Sequence, residues 1–174
     1  DEIVRLRNEE QRRAAALVGV TDIHYLHERD GYLEPSHGVI REVVRLIRQL
    51  RPDVVLSMHP ERNWNRIQKS HPDHLAVGEA VTRAVYPALE NPFAYPELAE
   101  AGLEAYKLPW LWFIAGPEER ENHFVDVTDR DTFALLPPCA DPGFDHRSCD
   151  YWEDADRGSK AARLHWLSAA PVAP

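Results

Sequence analysis

Apolar and polar positions recur along this chain with two periods, near 3.6 and near 2, and these divide it into helices and strands. Ile3, Leu6, Ala14, Leu17 and Val18 stand at helical spacing among arginines and glutamates, which predicts an amphipathic opening helix stopped by Gly19. Val20 to Leu26 reads as a short strand. A polar loop follows from His27 to Pro35, with Asp30-Gly31 as its turn signal. Ser36 is placed to cap the next helix, whose apolar face is Ile40, Val43, Val44, Ile47 and Leu50; Arg51-Pro52 ends it. Asp53 to Met58 then reads as a buried strand. A polar loop from Pro60 to Lys69 leads to a third helix opened by Ser70, with Leu75, Val77, Ala80, Val81 and Ala84 as its apolar side. Ser70 and Asp73 have the spacing of a capping box, with Asp where Glu or Gln is usual.

Beyond Pro87 the periodicity loosens. Glu97 to Glu104 reads as a short helix, Leu108 to Ala115 and His123 to Val127 as strands, and Glu153 to Leu167 as a helix with Ala161, Leu164 and Leu167 inward. Pro137 to Asp145 is rich in proline and irregular. A helix leading directly into an apolar strand is the pattern of an α/β domain with a mainly parallel sheet.

Composition narrows the function. A length of 174 residues suits one domain, and 44% hydrophobic residues suffice for a core. Acidic residues outnumber basic ones, 29 to 20, which argues against a nucleic-acid or anionic-membrane surface. No apolar run reaches the roughly 18 residues of a membrane span, and the charged opening Asp1-Glu2 does not read as a signal peptide. Two cysteines, Cys139 and Cys149, make no disulfide scaffold and fit a reducing, cytoplasmic setting. The excess is in histidine, with nine residues.

Ser70-His71-Pro72-Asp73-His74 is the strongest local feature. His71 and His74, three apart in the first turn of a helix, point to one side, and Pro72 fits there because its missing N–H costs nothing. This sets two imidazoles and a carboxylate at the end of a strand–loop–helix connection, where open α/β sheets bind ligands. Neutral imidazole is the commonest metal ligand, and an imidazole held by a carboxylate can stabilise an oxyanion. The same residues can equally serve only to cap the helix, and the pentapeptide alone leaves both readings open.

The surrounding segments do more. Arg7-Asn-Glu-Glu10 leads to Ala15-Ala-Leu-Val-Gly-Val20, followed by Tyr25-Leu26 with Asp30-Gly31, then Ile40 to Leu50 with Arg51-Pro-Asp-Val-Val55, then His71-Pro-Asp-His74 with Val77-Gly-Glu-Ala80. In this order they resemble the PIG-L/LmbE-like family of zinc-dependent N-acetylglucosaminyl deacetylases, over residues 3 to about 85. Val125-Asp-Val-Thr-Asp129 resembles a later family strand more weakly. The resemblance implies an α/β, Rossmann-like three-layer sandwich with a mainly parallel sheet. It implies zinc as cofactor and a small N-acetylated sugar as substrate. It implies His74 as a metal ligand, His71 as the oxyanion-stabilising histidine, Asp73 as the acid supporting it, and Arg7 and Asp30 as substrate-contacting residues. Zinc would polarise the acetyl carbonyl and activate water, and a carboxylate would shuttle its proton to the leaving amine.

The family also carries an early strand ending in His-Pro-Asp-Asp-Glu, which supplies two further zinc ligands and the general base. No such run occurs here, so the sequence reads as a single, N-terminally incomplete deacetylase-like domain over 1–174, lacking its first strand–helix unit and irregular from about 137. A non-catalytic binding module on the same scaffold is the second reading, and a hydrolase that binds metal through His59 or His71 with His74 is the third. His59-Pro60-Glu61 also follows an apolar strand, but Arg62 replaces a second acid, so His59 reads as a histidine near the carboxyl edge of the sheet. An exposed strand edge is expected where the first strand belongs, with self-association or a homo-oligomer as the consequence.

Other residues carry paired readings. His146-Arg-Ser-Cys149 is an altered remnant of a family His-x-Ser-Gln or a tail; Asp145 and Asp150 disfavour a Cys149 thiolate. Trp110 and Trp112 suit a strand buried on both faces, or a core beside a pocket wall. Trp64, on the polar loop before the motif, either stacks on a sugar or packs its own loop.

Overall fold

The computed structural model describes residues 2–114, 116–126 and 163–168, with residues 69, 125, 126 and 163–168 as backbone only. The readings at Val127 to Asp129, Pro137 to Asp145, Cys139, His146 and Cys149, and the 153–162 part of the expected last helix, lie outside the described residues. In chain order the elements are α1 (Glu2–Leu17), α2 (His37–Leu50), β1 (Val54–Met58), a 3-10 turn (Ile67–Lys69), α3 (Pro72–Arg83), a wide helical turn (Ala84–Leu89), α4 (Pro96–Glu100), β2 (Trp110–Ile114), a second 3-10 turn (Glu118–Arg120), β3 (His123–Asp126) and β4 (Arg163–Ser168). They fall into two compact units, one built on the chain up to Tyr25 and the other on Leu26–Phe124 with the end of β4.

In the first unit α1 forms where its periodicity predicts, but Ile3, Leu6, Leu17 and Val18 stay exposed and Ala15 is its buried residue. Arginine–glutamate pairs one turn apart support it, Arg7–Glu10 at 2.8 Å and Arg12–Glu9 at 3.6 Å. Gly19 takes φ +77°, and the Val20 N–H turns back to Ala15 O at 2.9 Å. Val20 to Leu26 is not a strand, because it forms no ladder among the described residues; Tyr25 instead ties this stretch to α1, its hydroxyl donating to Asn8 O at 3.0 Å.

The second unit holds the core. Ser36 caps α2 as expected, its Oγ accepting the Val39 N–H at 3.3 Å. The buried face of α2 is Val39, Ile40, Val44 and Ile47, and it packs with Ala80 and Val81 of α3, Ala84, Val85, Leu89, Leu98, Leu108 and Leu111. Leu50 is exposed, because the helix ends there and Arg51 turns into the left-handed region at φ 46°. Tyr106 seals that end: its ring lies under the Arg51 guanidinium at 4.5 Å and its hydroxyl donates to Pro52 O at 2.8 Å.

The sheet order is β1-β2-β4-β3. β1 and β2 are parallel, from Val54 opposite Trp110 to Met58 opposite Ile114, while β2 and β4 are antiparallel. β1 is not buried on both faces: Ser57 is buried and Val55 packs on the core, whereas Val54 and Leu56 alternate outward and stand exposed. The same alternation governs β2, where Leu111 and Phe113 meet the core and Trp110 is exposed. Residues 163–167 correct the helix expected there: Arg163–Ser168 is a strand. Its apolar spacing suited either element, and pairing along β2 decides it.

Candidate active site

The parallel strands β1 and β2 end side by side. The His59 N–H donates to Ile114 O at 3.0 Å, carrying the ladder one residue past β1. Against this strand end α3 packs without clearance. A Cβ on Gly78 would stand 2.5 Å from Met58 O, 2.7 Å from Pro60 N and 2.9 Å from His59 C. His74 lies four residues earlier, on the same face of α3. The sequence thus brings the His-Pro-Asp-His turn to the carboxyl edge of the sheet through a glycine that only this approach requires.

Within that turn the cap differs from the one expected. α3 begins at Pro72, and its cap is His71, whose Nδ1 accepts the Asp73 N–H at 3.2 Å. Ser70 is buried and its Oγ instead accepts the Asn63 N–H at 2.7 Å, anchoring the preceding loop. The Asp73 carboxylate is also turned outward from the helix. Its Oδ2 accepts the Gly31 N–H at 2.6 Å and its Oδ1 the Leu33 N–H at 3.3 Å. Asp73 therefore holds the Asp30-Gly31 turn, where Gly31 takes φ +78° and the Tyr32 N–H closes onto Arg29 O at 3.1 Å. The rings of His71 and His74 lie 5.4 Å apart. With Nδ1 of His71 accepting, the neutral ring carries its proton on Nε2 and is a hydrogen-bond donor there.

His59 is half-buried, whereas His71 and His74 are exposed. Its Nδ1 accepts the Glu61 N–H at 3.0 Å and its ring meets Phe113 edge-on at 5.5 Å. Burial pushes its pKa below the ordinary imidazole value, against the raising effect of Glu61.

Asp30, His71, Asp73 and His74 thus belong to one unit and are linked through Asp73. Arg7 lies in the other unit, on α1, paired with Glu10 at 2.8 Å. Among the described residues no group of three or more His, Cys, Asp or Glu side chains is placed to hold a metal ion. His59 accordingly does not join His71 and His74 in a three-ligand set.

Residues 1–85 match the family described as PIG-L: GlcNAc-PI de-N-acetylase. This segment is a PIG-L family domain. The chain is 34% identical over 129 residues to a diacetylchitobiose deacetylase of Thermococcus kodakarensis, covering 74% of this chain and 45% of that protein. It is 32% identical over 93 residues to a probable N-acetyl-alpha-D-glucosaminyl L-malate deacetylase 2 of Bacillus anthracis, covering 52% of this chain and 38% of that protein. The chain thus spans about half the length, or less, of these curated relatives. In structure it is similar to the N,N'-diacetylchitobiose deacetylase of Pyrococcus horikoshii, with TM-score 0.79 at 22% identity over 97% of this chain and 64% of that one. A 4-carboxy-2-hydroxymuconate hydratase of Pseudomonas putida shares the fold at TM-score 0.61 and 17% identity. The fold is therefore the α/β fold of these enzymes, and it carries more than one chemistry.

In the PIG-L segment, sequence reasoning missed the role of Ser70 as anchor of the Asn63 loop and of Asp73 as acceptor for two loop amides. The spacing Asn63-x-Asn65 was the available signal for the first, since Asn63 Oδ1 accepts the N–H groups of Asn65 and Arg66 at 3.0 Å each. Nothing local in the sequence signals the second, which joins residues 42 apart.

Proposed function

We propose that this chain carries part of the site of a hydrolase that removes the N-acetyl group from a GlcNAc-like sugar conjugate. The observation that carries the reading is the His71–His74 pair on the first turn of α3, joined through Asp73 to the Asp30 turn at the carboxyl edge of the sheet, inside the PIG-L segment. The relatives named as deacetylases of diacetylchitobiose and of a GlcNAc-malate conjugate support the substrate class.

The donors present do not by themselves fit a zinc centre. His71 spends Nδ1 on the helix cap, Asp73 already accepts a loop amide on each oxygen, and among the described residues no third His, Cys, Asp or Glu joins them and His74 in a metal-holding group. Zinc is implied by the family resemblance alone, with His74 as its candidate ligand.

The roles of the chain's own groups follow from their positions. Nε2–H of His71 donates to the acetyl oxygen as that oxygen gains charge during attack by water. Asp73 positions rather than transfers protons: it fixes the turn that presents the exposed Asp30 carboxylate, which accepts hydroxyl hydrogens of the sugar. Arg7 is proposed as a substrate contact on the family resemblance alone. Hydrolysis adds water across the amide, giving acetate and the free amine. The proposed setting is the cytoplasm; no helix among the described residues is long and apolar enough to cross a membrane.

The incomplete donor set favours a second reading, a sugar-binding module without catalysis. Amine release from N,N'-diacetylchitobiose, measured with and without added zinc, separates the two. On the hydrolase reading His71→Gln lowers the rate by roughly 10²-fold and His74→Ala removes its zinc dependence. Sugar binding with no amine release under either condition leaves the binding module. Amine release indifferent to both substitutions would overturn the site.

A further inference from the structure

Between the loops that follow β1 and β2 lies a cleft of about 310 Å³, lined by Glu61, Arg62, Asn63, Trp64, Asn65, Pro117 and Glu119. It sits beyond the carboxyl ends of two parallel strands, the part of an open α/β sheet where ligands bind. Trp64 is 81% exposed, although indole is among the costliest surfaces to leave in water. Its indole N–H, the side-chain amide of Asn65 and the carboxylate of Glu119 make no hydrogen bond or ion pair with described residues.

The backbone beneath this exposed ring is fixed. Asn63 is buried, its side chain accepts the Asn65 and Arg66 amides, and its own N–H donates to the buried Ser70 hydroxyl. Ser70 is the residue before His71, so one hydrogen bond joins the loop to the His-Pro-Asp-His turn. The Arg62 guanidinium stands 5.8 Å from the Trp64 ring centroid and the Arg120 guanidinium neutralises Glu61 at 2.9 Å. An aromatic face beside an amide and a carboxylate without a partner among the described residues matches a pyranose: C–H groups of one ring face lie on the indole, and hydroxyls at the rim donate to Glu119 and Asn65.

We infer that this cleft is an accessory saccharide subsite, with Trp64 as its stacking platform, that takes the sugar next to the N-acetylated unit of an oligosaccharide. The inference rests on the proposed deacetylase reading and extends it to substrates of two or more sugars.

The test uses N-acetylglucosamine and N,N'-diacetylchitobiose as probes on the full 174-residue chain. Affinity is measured by calorimetry or by ligand-observed NMR, and the Trp64 indole resonance, assigned by its loss in Trp64→Ala, is followed during titration. The native chain is expected to bind the disaccharide about tenfold more tightly than the monosaccharide, a difference of about 1.4 kcal/mol, with a shift of the Trp64 indole signal. Trp64→Ala removes that difference, Trp64→Phe keeps most of it, and Phe93→Ala, an exposed aromatic elsewhere, leaves it intact. Monosaccharide binding without a disaccharide gain overturns the subsite while the deacetylase reading stands. A Trp64-dependent gain without amine release upholds the subsite while that reading fails. Absence of binding by both sugars overturns both.

Discussion

The carboxylate of Asp73 accepts the backbone N–H of Gly31 at 2.6 Å, across 42 residues of sequence. With the Leu33 amide on its other oxygen, this one side chain substitutes for the strand pairing that the loop from His27 to Pro35 lacks. Asp73→Ala leaves two loop amides to solvent. It is expected to cost about 1–2 kcal/mol in urea denaturation, the lower part of the range for bonds to a charged acceptor because the site is partly exposed. Amide exchange at Gly31 and Leu33 accelerates in the same variant. Unchanged exchange at Gly31 would remove Asp73 from its positioning role.

Gly78 gives a sharper stability test. Alanine is favoured over glycine within a helix by about 1 kcal/mol, so Gly78→Ala on an open helix face would stabilise. Here the added Cβ meets backbone atoms of Met58, His59 and Pro60, none of which is a flexible side-chain end. Overpacking of this kind costs about 1–3 kcal/mol, and the net expectation is a lower melting temperature with altered amide shifts at His59. A raised melting temperature would show that α3 does not press on the strand end.

How much of this was legible in the sequence follows from the range of the interactions. The α2 face, its Ser36 cap, the Asp30-Gly31 turn and the His-Pro-Asp-His helix start are local, and periodicity and capping chemistry find them. Ordered motifs located the PIG-L segment. The failures share a cause in partners distant along the chain. Val20 to Leu26 has strand composition but no partner strand among the described residues, Arg163 to Leu167 has helix-compatible spacing but pairs with β2, and Ser70 gives its hydroxyl to Asn63 instead of to its own helix. The Trp64 cleft needs Pro117 and Glu119 beside Asn65, which only the parallel β1–β2 register supplies.

Arg48 is the clearest feature that periodicity hides. It is 2% exposed, and Nη2 donates to the carbonyls of Ala88 (3.1 Å) and Asn91 (3.0 Å), with longer contacts to Leu89 and Ala94, while Nη1 donates to Leu103 O at 3.3 Å. Desolvation lowers its pKa, with Glu104 opposing. Arg48→Met keeps the apolar stem but strands a ring of carbonyls, and a loss of about 2–4 kcal/mol is expected. Arg48→Lys should recover only part of this, because an ammonium cannot fork toward five carbonyls. Equal stability of the Met variant and the native chain would show that the carbonyls find water instead.

The pH dependence of stability has two windows. His59 has a folded pKa below its ordinary 6.5, chiefly through desolvation. The unfolded chain therefore binds the extra proton first, and stability falls as pH drops through 6.5 toward the folded value, then levels off. Glu42 is lowered from 4.5, first by its hydrogen bond to Arg45, so its contribution is present above 4.5 and is lost as pH falls through the folded value. His59→Asn keeps an acceptor for the Glu61 N–H without a titrating ring. It should flatten the upper window and leave the lower one. A melting curve against pH that is identical in both chains would refute the assignment to His59.

β1 stands at the end of the sheet order and among the described residues pairs with β2 alone, while Val54 and Leu56 on its outward face are 41% and 46% exposed. An unpaired strand edge beside exposed apolar side chains is a template for another strand. The chain is expected to associate with concentration in sedimentation velocity. Leu56→Lys puts a charge on that face and should shift the distribution toward monomer without loss of the core, since Leu56 lies outside the buried cluster. The pairing partner would form backbone bonds to the free edge, so amides of β1 should gain exchange protection as concentration rises. A monomer at high concentration with a sharp cooperative melt, unaffected by Leu56→Lys, would show that the edge is silent.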